Sequence, residues 1–240
     1  MRIDANGMHY SDLDKAVRES GDNEVVIDSC VGQRYIAAGL SGKTVIINGT
    51  PGNALGAYLN GATVIVNGNA QEATGDTMNG GTIVVNGSVG DAAGYAMRGG
   101  KIFVRGNAGY RCGIHMKAYG DNKPAIVIGG RAGSFLGEYQ AGGTIIVLGD
   151  YDDGKSVIGN FCGTGMHGGE MYIRCDALPG RLPAQVRAER LERIPHGEIE
   201  DLVSAWCDTF GKDREKYLAS PCYRLTPNSE NPYRQMYTAN

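Results

Sequence analysis

Several features that mark other classes of protein are missing from this 240-residue sequence. No apolar run exceeds four residues, whereas a membrane-spanning helix needs roughly 20. The six cysteines stand apart, with no two within four positions of each other, so a zinc ribbon or an iron–sulfur cluster bound by a local cysteine motif is excluded. Basic residues are not in excess, and a net charge of -3 gives no reason to expect a nucleic-acid partner.

The beginning of the chain also lacks the features of a secretory leader. MRIDANGMHY carries charged and polar residues where a leader has an apolar core. We therefore expect a cytoplasmic protein whose cysteines are reduced thiols, buried as small apolar residues. The four histidines are widely separated, and no spacing among them predicts a metal site on one element.

Glycine is abundant instead, with 33 of the 38 glycines between Glu24 and Leu178. There is no Gly-x-y period and no proline run, which excludes collagen and a flexible linker. Short β-branched runs recur at spacings of 20, 19, 19, 19, 24, 19 and 26 residues, so the longer gaps are insertions in a 19-residue unit. The runs begin at Glu24, Thr44, Thr63, Thr82, Lys101, Ala125, Thr144 and Glu170.

Glycines keep fixed places in this unit, and each such place predicts a structural corner, because glycine accepts positive φ and close backbone approach. One strand and several corners per unit predict an all-β protein, a single-stranded parallel β-helix of about seven or eight coils. The sixth place holds Gly49, Gly68, Gly87, Gly106, Gly130 and Gly149, and the ninth holds Gly52, Gly90, Gly109 and Gly133. The thirteenth holds Gly56, Gly75, Gly94, Gly113 and Gly137, and the eighteenth holds Gly61, Gly80, Gly99 and Gly142.

Asparagine also keeps one place in three successive units, at Asn48, Asn67 and Asn86. Asparagine at a corner accepts left-handed geometry and can hydrogen-bond its counterpart in the next coil, as in ladders of stacked strands. The alternative interpretation is a row of amides that binds a ligand.

The segment GTGMHGG, from Gly163 to Gly169, contains the pattern Gly-x-Gly-x-x-Gly. A dinucleotide-binding loop needs a helix after this pattern, whose free N–H groups hold the pyrophosphate. The run that follows, Glu170 to Cys175, reads as a strand, so we interpret the loop as a corner of the last coil.

Both ends of a stack of coils expose backbone groups, so caps are expected. Three regions follow: an N-terminal cap (1–23), the glycine-rich stack (24–178), and a C-terminal helical tail with an arm (179–240). The first cap is predicted as a helix from Ser11, its N-cap, to Gly21. In the tail, apolar residues at helical spacing predict a helix from Gly197 to Gly211. The arm that follows is rich in proline and tyrosine, at Pro221, Tyr223, Pro227, Pro232, Tyr233 and Tyr237.

The blocks GNALGAYLNGATVIVNGNA, TMNGGTIVVNG, EYQAGGTIIVLG and NFCGTGMHGGEMYI occur in this order. Over residues 32–176 the chain thereby resembles the C-terminal glycine-repeat domain of the glutamate synthase large subunit. The resemblance implies a right-handed β-helix without catalytic residues of its own. Similar domains occur in the C subunit of formylmethanofuran dehydrogenase and, free-standing, in split glutamate synthases and N-methylglutamate synthase-like complexes.

The resemblance implies a structural, assembly subunit of a glutamate synthase-type complex. Its partners would be a class II amidotransferase subunit and an FMN-dependent synthase subunit that carries the FMN and the iron–sulfur cluster. This chain would carry no cofactor, and a homo-oligomer is also possible. The alternatives are a component of a formylmethanofuran dehydrogenase or N-methylglutamate synthase complex, or a stand-alone β-helix enzyme. For such an enzyme, the adjacent acids Asp152 and Asp153 are the candidate residues within the glycine-rich stack.

Alternation along the strands predicts that the third residue of each run points outward. These residues, named here the outward stripe, are Ile46, Ile65, Val84, Phe103, Val127, Ile146 and Tyr172. A continuous apolar stripe is not left in water by a soluble monomer. We expect it to be covered by the tail helix, or to dock a partner or another copy of the chain.

Overall fold

The recurring runs form strands that lie side by side in one sheet. This is shown by a computed structural model that describes residues 1–151, 153–178 and 182–228. Within those residues the sheet has eleven strands in the order β1-β2-β3-β4-β5-β6-β7-β8-β9-β11-β10. Their bounds are β1 Arg2–Asp4, β2 Glu24–Val31, β3 Thr44–Thr50, β4 Asn60–Asn67, β5 Gly80–Val85, β6 Lys101–Val104, β7 Ala125–Ile128, β8 Ala141–Val147, β9 Gly168–Ile173, β10 Val186–Leu191 and β11 Cys222–Pro227.

From β1 to β9, each strand pairs in parallel with the next. Residues one unit apart stand directly opposite, as Val45, Val64 and Ile83 do. A second row of parallel bridges joins Ala70, Val89, Ala108, Ala132 and Ile158 on another side of the units. The structure is therefore mainly β, with parallel strands and few helices, and each unit brings the chain back beside its own previous strand.

The core is made by alternate residues of the strands. Val45, Ile47, Val64 and Val66 have no exposed surface, whereas Ile65 between them is partly exposed. The β-branched residues suit this arrangement, because their branched side chains pack well on a pleated surface. The direction of alternation in these strands is the one that the sequence predicted.

The N-terminal segment differs from its prediction in two details. Helix α1 spans Tyr10–Glu19, and its N-cap is His9, whose side chain accepts a hydrogen bond from the Ser11 N–H. Ser11 is therefore not the N-cap, because the His9 ring nitrogen takes the place expected of a hydroxyl. Strand β1 was not predicted either, and it extends the sheet by pairing with β2.

The C-terminal segment contains the predicted helix and two unpredicted strands. Helix α2 spans Glu198–Phe210, between Gly197 and a left-handed Gly211. A short helix α3 spans Arg214–Leu218. Strand β11 lies antiparallel between β9 and β10, so the first part of the expected arm joins the sheet. The rest of that arm, with Pro232, Tyr233 and Tyr237, lies outside the described residues.

The division into 1–23, 24–178 and 179–240 stays a prediction. Strands from the first and last of these segments join the same sheet as the glycine-rich units. The terminal strand β10 has an edge of exposed residues that include Arg187, Glu189 and Arg190. Charged side chains on an edge strand hinder pairing with another chain.

Candidate interaction surface

The corner glycines are of two structural kinds, and the first kind has positive φ. At Gly94 φ is +70°, and an added Cβ would lie 2.4 Å from Ile126 Cδ1 in a neighbouring strand. The same conformation and a contact below 3.0 Å recur at Gly56, Gly75, Gly113 and Gly137. The equivalent place in the first unit holds Ala37, also at positive φ. Most of these glycines face an isoleucine at a fixed place in a later unit. The residue at that place relative to Ala37 is Val64, and valine has no δ carbon.

The second kind of glycine allows close approach between coils without positive φ. At Gly68 an added Cβ would lie 2.3 Å from the carbonyl oxygen of Gly49. Gly49 combines both properties, with φ of +134° and a Cβ position 2.2 Å from the Cys30 oxygen. Contacts of 3.0 Å or less with neighbouring coils also exist at Gly52, Gly87, Gly90, Gly106, Gly109, Gly130 and Gly133.

The three asparagines form a hydrogen-bonded ladder. Asn67 Nδ2 donates to Asn48 Oδ1 at 2.8 Å, and Asn86 Nδ2 donates to Asn67 Oδ1 at 3.1 Å. Asn48 continues the ladder by donating to Asp28 Oδ1 at 2.7 Å. None of the three has positive φ, so the left-handed conformation considered from the sequence is wrong for them. Their amides are used between coils, which favours the structural interpretation over a ligand site.

The loop from Gly163 to Gly169 leads into β9, a strand. Gly163 and Gly165 have positive φ, as corner residues do. An added Cβ at Gly165 would lie 2.4 Å from the ring of Tyr139. Because no helix follows, the loop lacks the N–H groups that a pyrophosphate site requires.

The thiols are poor candidates for nucleophilic catalysis. Burial raises the pKa of Cys112 and Cys162 to about 12, and that of Cys30 to about 11. A nucleophilic cysteine needs the opposite shift, because the thiolate is the reactive form. All six cysteines are free.

Of the two adjacent acids that the sequence singled out, the structure describes one. Asp153 is exposed and forms an ion pair with Arg131, while Asp152 lies outside the described residues. A polar cleft of about 310 Å³ is bordered by Lys123, Glu170 and Arg224. Glu170 and Arg224 form an ion pair at 3.0 Å. In the three described ranges, no group of three His, Cys, Asp or Glu side chains could hold a metal ion.

The described residues cover the outward stripe over only part of its length. Phe103, Val127, Ile146 and Tyr172 are buried in a second hydrophobic cluster, formed with residues of α2 and α3. Val84 lies at the boundary, with 9% of its surface exposed. The first members of the stripe, Ile46 and Ile65, are half-buried, and neither belongs to that cluster.

Trp206 is the centre of the covered part. Its side chain is fully buried, and Nε1 donates to the carbonyl oxygen of Val104 at 2.9 Å. Gly129 occupies the strand place that holds asparagine in earlier units, and a Cβ there would lie 2.3 Å from Trp206 Cζ2. Loss of the asparagine side chain at this place therefore makes room for the indole ring.

The two longest gaps of the repeat lie at the two ends of α2. In the first insertion, Lys123 Nζ lies 3.2 Å from a carboxylate oxygen of Glu198, at the beginning of α2. In the second, Asp150 accepts from Lys212 at 2.7 Å and from Lys216 at 2.6 Å, just beyond the end of α2. Burial alone would raise the pKa of Asp150, but these hydrogen bonds outweigh it and lower the pKa to about 2.

A surface of rings, named here the aromatic face, was missed in the sequence. It consists of two columns in successive units: Tyr95, His115 and Tyr139, and Arg111, Phe135 and Phe161. The rings of His115 and Tyr139 stack at 5.1 Å, and those of Phe135 and Phe161 at 4.9 Å. Arg111 lies over the Phe135 ring. The signal in the sequence was at the eleventh place of the unit, where rings replace the alanines of three earlier units, and at the fifteenth place, where His115 and Tyr139 follow Ala96.

Comparisons with known proteins agree with a glycine-repeat domain. The sequence model described as the GXGXG motif matches residues 18–222. Uncharacterized protein MJ1350 of Methanocaldococcus jannaschii is 43% identical over 249 residues, covering 98% of this chain and 95% of that protein. No helix in the described ranges is both long and apolar enough to cross a lipid bilayer.

A solved structure is similar over most of the chain. It is a chain of the formyltransferase/hydrolase complex (FhcABCD) of Methylorubrum extorquens, whose crystal structure was determined in complex with methylofuran. The two chains share 25% identity with a TM-score of 0.64. The similarity covers 86% of this chain and 74% of that chain.

Proposed function

Because this chain belongs to the GXGXG motif family, we propose that it is a non-catalytic assembly subunit of a multi-subunit enzyme complex. Its repeat units would wind as a right-handed β-helix, as the resemblance to the glutamate synthase domain implies. The parallel register between units and the second row of bridges support this winding.

One observation carries the proposal: the similarity to a chain of the formyltransferase/hydrolase complex. A fold alone does not determine function, but this neighbour covers most of both chains and is part of an assembly. The principal candidate is therefore a component similar to the C subunit of formylmethanofuran dehydrogenase. Its partners would be formyltransferase-type and hydrolase-type subunits.

The second candidate is the corresponding subunit of a glutamate synthase-type or N-methylglutamate synthase-type complex. It is favoured by the match of the GXGXG motif, on which the glutamate synthase resemblance depends. Partners would then be the amidotransferase and the FMN-dependent synthase, and the flavin and the iron–sulfur cluster would reside in the latter.

The geometry agrees better with assembly than with independent catalysis. The thiols have raised pKa values, and Asp153 is an exposed, ion-paired side chain. By contrast, two apolar surfaces remain accessible to water, the aromatic face and the open part of the outward stripe. Apolar patches of this kind mark sites of protein association.

Co-purification tests the proposal. The tagged chain is expressed in its own organism at native level, and the proteins that accompany it are quantified by mass spectrometry. Stoichiometric formyltransferase-type and hydrolase-type subunits are expected, whereas amidotransferase and FMN synthase subunits would identify the second candidate. A chain that purifies alone, or that binds stoichiometric FMN when isolated, would contradict an assembly role.

A further inference from the structure

The aromatic face places large side chains where the backbone is least favourable for them. Phe135, Tyr139, His115 and Phe161 have φ between +53° and +61°. Bulky residues rarely adopt this conformation, because their side chains crowd the backbone there. Such strain persists where the side chain itself has a use.

The repeat supplies an internal control for this argument. The places that hold Phe135 and Phe161 hold Ala54, Ala73 and Ala92 in earlier units, at similar φ. Likewise, the place that holds His115 and Tyr139 holds Ala96 in the unit before them, and Thr77 and Tyr58 in the two units before that. The corner therefore forms with a methyl side chain, and the fold does not require the rings.

The rings are also exposed to water. Tyr95 is 40% exposed, Tyr139 36%, Phe161 57%, and Tyr110 beside them 53%. At about 200 Å² per aromatic side chain, these four expose about 400 Å². A standard protein interface buries about 800 Å² on each partner, so the rings provide about half of that area. Tyrosine, phenylalanine and arginine are the residues that interfaces favour.

The charges around the face indicate the chemistry of the partner. Arg111 forms an ion pair with the buried carboxylate of Glu138 at 2.9 Å, which leaves the centre of the face neutral. Asp91 and Glu72 occupy the same place in the two preceding units that Tyr110 occupies in its own unit. Both acids are exposed, and neither has an ion-pair partner in the described part of the chain.

We propose that the aromatic face docks a partner protein subunit, with the rings against uncharged apolar side chains and Glu72 and Asp91 opposite its lysine or arginine residues. This inference rests on the proposed assembly role, which it extends by naming the surface of contact. The face is separate from the open part of the outward stripe, which lies between the paired residues Thr44, Thr63 and Thr82 and the asparagine ladder.

The test compares two variants that change the same kind of corner. Tyr139→Ala combined with Phe161→Ala removes rings from the aromatic face. Tyr58→Ala is the matched control, because Tyr58 has the same place in the unit, φ of +57° and 57% exposure, but lies four units earlier. Each is co-expressed with the formyltransferase-type and hydrolase-type subunits of its genome, and separately with the amidotransferase and FMN synthase subunits. Complex formation is measured by sedimentation and its Kd by interferometry.

The double variant is expected to raise the Kd at least about tenfold, since buried aromatic anchors carry much of an interface's binding energy. Tyr58→Ala should change the Kd by less than about twofold, and all the chains should keep the wild-type circular dichroism spectrum. Glu72→Lys should weaken association about threefold and reduce its dependence on salt.

Three results would overturn the inference. If the wild type assembles and the double variant binds equally well, the face is not the docking surface, although the assembly role stands. If the wild-type chain alone dimerises and the double variant is monomeric, the face joins two copies of this chain. If the wild type associates with neither set of subunits, the assembly role fails, and the inference fails with it.

Discussion

The units that begin at Thr44, Thr63 and Thr82 differ from those between Lys101 and Cys175. The early units have the regular 19-residue length, a ladder of asparagines, mostly alanine at the strained corners, and an outward stripe that is only partly buried. The later units contain both long insertions, rings at the corners, and a stripe that lies under α2. The backbone register is nevertheless the same in both regions.

This difference separates what the repeat needs from what is added to it. Glycines at the corners and β-branched residues in the core occur in both regions, because every unit must turn and pack in the same way. Two kinds of departure from the repeat, the long insertions and Gly129, lie where the units contact the C-terminal segment. The insertions hold the ends of α2, and the change to Gly129 makes room for Trp206.

The largest expected effect comes from placing an aspartate in the outward stripe, once in each of the two regions. Phe103→Asp places a carboxylate in the covered cluster and should lower the free energy of unfolding by about 4 kcal/mol or more, from lost packing and an unpaired buried charge. Ile65→Asp has the same place in a strand that does not belong to the cluster formed with α2 and α3, and should cost about 1 kcal/mol. Denaturant unfolding followed by circular dichroism measures both.

Trp206 is the only tryptophan, so its fluorescence reports whether α2 remains docked. In Phe103→Asp the emission should shift to longer wavelength, and in Ile65→Asp it should not. Equal losses of stability in the two variants would show that the two regions of the stripe do not differ.

A smaller effect is expected at the positive-φ glycine corner, which occurs in the units of both regions. Gly94→Ala brings a Cβ within 2.4 Å of Ile126 Cδ1 and should cost about 2 kcal/mol through crowding and left-handed strain. Adding Ile126→Val removes the δ carbon and should recover part of that loss, as the pair Ala37 and Val64 indicates. A double-mutant cycle in urea measures the coupling. An additive double variant would mean that crowding by the isoleucine is not the cause.

The asparagine ladder, a feature of the early units, should contribute less. Asn67→Ala removes the hydrogen bonds to Asn48 and Asn86 and should cost about 1 kcal/mol, because the amides are exposed enough to be solvated by water. Thermal unfolding at neutral pH detects this change. A loss above about 3 kcal/mol would give the ladder a larger role than its exposure predicts.

The smallest effect concerns pH and the second insertion. The pKa of Asp150 in the folded protein, about 2, is below its ordinary value of about 3.9. Its ion pairs therefore stabilise the folded state fully above about pH 4, and that stabilisation is lost as the pH falls towards 2. Stability measured between pH 5 and 2 should decline less in Asp150→Asn than in the wild type. Parallel curves for the two proteins would contradict this assignment.

The sequence predicted the repeated strands and their parallel stacking because period and composition are local properties. The resemblance to the glycine-repeat domain of glutamate synthase is likewise confirmed at the level of the family. Strands β1, β10 and β11 were missed, since their pairing does not follow a repeated pattern: β1 and β11 pair with the two ends of the stack, and β10 pairs with β11. The His9 cap was missed because a ring nitrogen replaced the expected hydroxyl.

The surfaces were harder to predict than the strands. Alternation showed that residues such as Phe103 face outward, but only the contacts of α2 show where coverage ends. The aromatic face depends on corner residues such as Tyr139 and Phe161. In the sequence they look like ordinary turn residues, and their common places in the unit become visible only when the units are aligned with one another. Which protein binds there is a property of a second molecule, and this sequence does not encode it.

Because the early units have a uniform length, each of them adds the same distance to this part of the molecule. Residues 63–81 form one full unit, and their removal would leave Val45 beside Ile83 in the same register as Val64. Such a deletion would bring α1 and the tail closer by one strand spacing, about 4.8 Å, without changing either end. The number of units thus sets the distance between whatever is bound at the two ends, in steps no finer than one strand.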